Sequence, residues 1–103
     1  MSEMIRVVYK KPGRTPRMSL IRNELKALQD RVDGYIETVS LMDNIVMVVN
    51  EEGKLKKMQP NFLYGFDTIV GPAVFVATER DKMVSLTYDQ IVKVEEFLKE
   101  AAI

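Results

Sequence analysis

Residues 45–49 read IVMVV, apolar at all five consecutive positions. Side chains of a strand alternate between its two faces, so a strand with one wet face shows polar residues at every second place. A run without such places belongs to a central strand covered on both faces. Whatever this chain folds into must supply apolar cover above and below that strand.

The flanking segments supply candidates. MIRVVYK (4–10) is rich in β-branched and aromatic residues and predicts a first strand. Pro12-Gly13 is a turn signal, and RMSLIR (17–22) predicts the return arm of a hairpin, placed at a sheet edge by Pro16. Leu25, Leu28 and Val32 recur at helical spacing between Asn23, an expected N-cap, and Gly34, an expected left-handed C-cap. YIETVSL (35–41) predicts a strand joined to IVMVV by the tight turn Asp43-Asn44. DTIVGPAVFVAT (67–78) is a long β-like stretch broken at Gly71-Pro72. At the C-terminal side, Thr87 and Gln90 fit a capping box, and Ile91, Val94, Leu98 and Ala101 share one helical face with Phe97 beside them. Short turns between strands imply antiparallel pairing. The expected fold is one α+β domain spanning 1–103, with a mostly antiparallel sheet of about five strands and two helices, the second at the C-terminus. One sheet face without a helix would leave IVMVV or VFVA exposed unless a partner covers it, so a homodimer is expected.

Composition removes several chemistries. The 103 residues include no cysteine and no histidine. Thiolate sites, a cysteine nucleophile, a Ser-His-Asp triad and imidazole metal ligation are therefore excluded. An enzyme would have to use Glu37, Glu51 or Glu52 as its base, and no metal-ligand spacing accompanies them. No apolar run approaches the roughly 20 residues that span a bilayer. The expectation is a soluble protein with no metal and no cofactor, and no catalytic residue is assigned.

The densest polar stretch is NEEGKLKKMQPN (50–61). Asn50 and Gly53 suit the first and fourth positions of a turn with a left-handed glycine, after which KLKKM would return as a strand. Glu51 and Glu52 could hold a divalent cation, although adjacent turn residues diverge. Alternatively, Asn50, Lys54 and Asn61 could converge on a small polar ligand at one end of the sheet. Asn61 could equally cap the turn after Pro60.

Charge is balanced overall, 15 cations against 15 anions, but not along the chain. Residues 1–22 hold six cationic side chains against Glu3 alone. The KKPGR tip, with Lys10, Lys11 and Arg14, is a candidate anion site. It is also a candidate nucleic-acid contact, although a balanced net charge argues against a DNA-coating protein.

The PG turn, LQDRVDGYIE (28–37), NEEGKL (50–55), Pro60-Asn61, the D-x-I-x-G of Asp67, Ile69 and Gly71, and VSL (84–86) together resemble a small family of domains of unknown function. That family is met in phages, conjugative plasmids and other mobile elements, chiefly of Gram-positive and gut bacteria. The resemblance implies a mobile-element accessory protein in the cytoplasm of a bacterial host. It brings no established activity. It raises Gln29, Tyr35, Glu37, Asn50, Glu51, Gly53, Lys54 and Asn61 as positions matching the motif. KKPGR is more basic than the family pattern, which sets any role of Lys10, Lys11 and Arg14 apart as particular to this chain. The function expected from residues and resemblance together is a non-catalytic binding module. It would be a counter-defence factor sequestering a phosphorylated, nucleotide-type ligand or a host protein. The alternative is a nucleic-acid-binding regulator or restriction-evasion factor acting through the N-terminal hairpin.

Overall fold

A computed structural model describes residues 3–103 of the chain. In order, the elements are β1 (Met4–Lys10), β2 (Arg17–Arg22), α1 (Leu25–Val32), β3 (Ile36–Met42), β4 (Ile45–Asn50), β5 (Pro60–Tyr64), β6 (Asp67–Val70), β7 (Ala73–Glu79), β8 (Lys82–Val84) and α2 (Tyr88–Glu100). The main sheet runs β2-β1-β7-β4-β3, with β8 pairing β7 beyond the end of its β1 contact. β5 and β6 form a separate two-stranded sheet. All these pairings are antiparallel. The fold is α+β, as the sequence predicts, with six strands in the main sheet rather than about five.

The two uninterrupted apolar runs lie side by side in its middle, Met47 opposite Phe75 and Val48 opposite Val74. They feed two cores. Ile45, Met47 and Val49 point to one face with Phe75, where α2 contributes Ile91, Val94 and Leu98 and the small sheet contributes Phe62 and Ile69. Val48, Val74 and Val76 point to the other face with Ile5, Val7 and Ile21, beneath Leu28 and Val32 of α1. Both faces are therefore covered from within the chain. This corrects the expectation of a bare face: Val48, Val74 and Val76 are all at 0% exposure. The ground offered for a homodimer is removed with it.

Local signals explain most boundaries. Asp43 and Asn44 both take positive φ, 47° and 58°, the geometry of a type I′ hairpin turn matching strand twist. Arg80 and Asp81 do the same at 51° and 65°, which closes the β7–β8 hairpin. The capping box forms as predicted: Gln90 N–H donates to Thr87 Oγ1 at 3.1 Å, and Thr87 N–H donates to Gln90 Oε1 at 2.9 Å.

Three local expectations fail. Asn23 does not cap α1; Glu24 holds that position, and Asn23 Nδ2 donates to the Met83 carbonyl at 3.0 Å instead. The left-handed residue ending α1 is Asp33, at φ 63°, rather than Gly34. KLKKM is not a strand. Residues 51–57 coil into successive turns, with Lys56 N–H bonded to the Glu52 carbonyl at 2.9 Å and Met58 N–H to the Gly53 carbonyl at 3.0 Å. Three lysines around an exposed Leu55 offer no apolar face to pair with β4, and the next strand begins only at Pro60.

Candidate ligand-binding cleft

The β1–β2 loop, the start of β5 and the last turns of α2 meet around one cleft of about 740 Å³. That is within the ~300–1,000 Å³ usual for small-molecule sites. Pro12-Gly13 makes the loop possible: Gly13 takes φ 72°, and Arg14 N–H closes onto the Lys11 carbonyl at 3.1 Å. Arg14 and Thr15 then face the cleft from one side, Glu95 and Lys99 from α2 on the other. Phe62, at 1% exposure, and Leu98, at 5%, contribute its apolar lining.

Asn61 holds this corner together. It is 6% exposed and makes three bonds, leaving no buried side-chain polar atom unsatisfied among the described residues. Its Nδ2 donates to the carbonyls of Lys10 at 2.9 Å and Gly71 at 2.8 Å. Its Oδ1 accepts from Lys10 Nζ at 2.9 Å, and Lys10 Nζ also reaches the Lys11 carbonyl at 2.8 Å. The Lys10 ammonium is thus fixed at the cleft wall, and burial holds its pKa below the ordinary lysine value. Gly71 allows the chain to pass: it takes φ 77°, and a Cβ there would meet Met58 Sδ at 2.7 Å.

A smaller hollow of about 360 Å³ lies behind the same loop, lined by Tyr9, Lys11, Arg14, Thr15, Arg17 and Ser19. It is lined by three cations, three hydroxyl-bearing residues and no carboxylate. Lys11 Nζ stands 5.8 Å from the Tyr9 ring centroid. Tyr9 itself is committed, donating to the Arg31 carbonyl at 2.8 Å, and burial, then the nearby Asp33 charge, raise its pKa. Arg14 and Thr15 border both spaces, so the basic tip separates an amphipathic cleft from a purely cationic pocket.

The remaining sequence candidates lie elsewhere. Asn50, 5% exposed, is spent on α1: its Nδ2 donates to the carbonyls of Val32 at 2.9 Å and Asp33 at 3.2 Å, and its Oδ1 accepts from Glu52 N–H at 2.7 Å. Gly53 is not left-handed; it is needed for close approach, since a Cβ would meet Val70 Cγ2 at 2.9 Å. Lys54 is exposed and paired with Asp67, whose pKa that hydrogen bond lowers. Glu37, Glu51 and Lys54 border a separate hollow of about 300 Å³, and Tyr35 stands 66% exposed beside α1. The expected convergence of Asn50, Lys54 and Asn61 does not occur, because Asn61 lies on the other cleft. Among the described residues no group of three acidic side chains is placed to hold a metal ion.

Of the residues lining this cleft, Lys10, Arg14 and Asn61 stand out in the sequence, and Gln59, Phe62, Glu95 and Lys99 do not. No local pattern marks these four. They reach the cleft only because the β5 start and α2 fold back against the loop, with Leu63 N–H bonded to the Ala101 carbonyl at 2.8 Å.

A family model described as a domain of unknown function (DUF3846) matches residues 5–99. No curated protein and no solved structure matches the chain.

Proposed function

The chain belongs to the DUF3846 family of unknown function, and we propose that it is a non-catalytic module binding a phosphorylated, nucleotide-type small molecule. The observation that carries this is the meeting of Lys10, Arg14 and Lys99 around a cleft with an apolar lining. Ammonium and guanidinium groups suit phosphate oxygens, the guanidinium in bidentate fashion. The exposed Pro60 and Ile103 of the lining suit a flat, weakly polar base, and Glu95 is an acceptor for its amino groups or for ribose hydroxyls. A second phosphate has a seat behind Arg14, beside Lys11 and Arg17. Lys10 is already held in place by Asn61, so little ordering is required of it on binding. A mobile-element accessory protein that withholds a signalling nucleotide from the cytoplasm of its host needs such a pocket and no chemistry.

Thermal unfolding with millimolar cyclic mononucleotides, cyclic dinucleotides and ADP-ribose tests the reading. A ligand at a hundred times its Kd stabilises by about 2.7 kcal/mol. For a domain of this size, that raises Tm by roughly 10 °C or more. The shift should vanish in Arg14→Glu and shrink in Lys99→Glu. No shift with any member of the panel would count against the proposal. Binding of DNA or RNA with a steep salt dependence, and no nucleotide shift, would favour the hairpin as a nucleic-acid contact instead.

A further inference from the structure

β2 is the edge strand of the main sheet: it pairs with β1 on one side and with no described strand on the other. Natural edges are usually blunted by charges or proline along their length. Here Pro16, Arg17 and Arg22 guard only the ends. Between them, Met18 and Leu20 are 58% and 63% exposed, on the same face as Arg6, which is opposite Leu20. Only this edge of the face is bare, because α2 covers the sheet further in; the Tyr88 ring of α2 lies against Arg6, its centroid 4.8 Å from the guanidinium carbon. A groove of about 390 Å³ runs between this edge and α1, with Leu20, Ile21, Ala27 and Arg31 among its lining. Glu24 and Asp30 also border it, and Asp30 is held by Lys26. The opposite edge, β3, differs: Glu37, Thr38 and Ser40 are exposed along it.

We infer that β2 is a docking edge for an extended acidic segment of another protein, which adds to the sheet as one further antiparallel or parallel strand. Backbone groups of β2 supply the affinity, as in other strand-addition complexes. Apolar side chains at alternate positions of the incoming segment rest beside Met18 and Leu20. Carboxylates at its ends meet Arg17 and Arg22, with Arg31 at the groove. The same arginines disfavour a second copy of this chain. Full antiparallel overlap of β2 with itself sets Arg17 opposite Arg22 at both ends, and like charges directly opposite destabilise a pair.

The test pans a random octapeptide library on the immobilised full chain, then measures the enriched peptide by fluorescence anisotropy. The expected consensus alternates apolar and polar residues with Asp or Glu at both ends. Arg22→Glu and Leu20→Glu each weaken it, with the charge reversal costing about tenfold when both the lost pair and the new repulsion count. N-methylation of alternate peptide amides on the pairing side abolishes binding. Lys99→Glu, on α2 and away from β2, should weaken nucleotide binding but leave peptide affinity unchanged, so the two readings fail separately. No enrichment overturns the inference, as does binding that survives both patterns of N-methylation. Dimers in sedimentation that dissociate in Leu20→Glu would assign the edge to a second copy and overturn it too.

Discussion

Replacing Asn61 by Ala should destabilise the protein by about 2–4 kcal/mol, more than its single amide suggests. The side chain donates to two carbonyls: its bond to that of Gly71 is buried, and its bond to that of Lys10 is partly so. An orphaned buried acceptor costs about 1–3 kcal/mol and a partly exposed one about 0.5–1.5 kcal/mol. The substitution also frees Lys10 Nζ, which loses a charge-assisted bond but keeps the Lys11 carbonyl. For a domain near this length each kcal/mol moves Tm by about 4–8 °C, so a loss of roughly 10–25 °C is expected. Urea titration followed by circular dichroism measures it, with the midpoint moving and the slope constant. Lys10→Met and the double variant complete a cycle. Because Lys10 and Asn61 touch, the two losses should fall short of additivity by at least about 0.5 kcal/mol. A single-variant loss below about 0.5 kcal/mol, or strict additivity in the cycle, would refute the claim that Asn61 organises this corner.

Thr87→Ala should cost about 1 kcal/mol by removing one half of the capping box, read from the shift in urea midpoint. Gly71→Ala should cost several times more than an exposed glycine substitution. It combines a left-handed φ of 77° with a Cβ 2.7 Å from Met58 Sδ, and Met58→Ala should relieve only the second part. The Asp67 carboxyl is held below its ordinary 3.8 by the hydrogen bond from Lys54. A depressed folded pKa stabilises above the unfolded value and is lost as pH falls through the folded one. NMR titration should therefore place Asp67 below 3.8 in the native chain, and return it towards that value in Lys54→Met.

Several elements could be read directly from residues because their cause is local. The β1 and β2 bounds follow from β-branched runs flanking Pro12-Gly13, and the α2 start from Thr87 and Gln90. IVMVV required a doubly covered strand, and β4 is one. Where tertiary contacts decide, the same kind of reading failed. Asn23 looked like a cap because asparagine often is one, but Met83, sixty positions away, claimed its amide. Gly53 looked like a left-handed turn residue, yet it is there because Val70 leaves no room for a Cβ. Asn50 looked like a ligand contact and instead closes α1.

Hydrophobic alternation, turn chemistry and helix capping act within a few residues, so the sequence alone determined the strand run, the two helices, the α+β class and the exclusion of thiol and imidazole chemistry. Distances between segments distant in the chain are set only when cores close. That closure decided which cations share a cleft, that the small β5–β6 sheet rather than a partner seals beside α2, and that Asn61 faces Lys10 while Asn50 faces α1. Two asparagines of one polar stretch thus ended in different places, because a side-chain amide goes to whichever unsatisfied carbonyls the packed core leaves within reach.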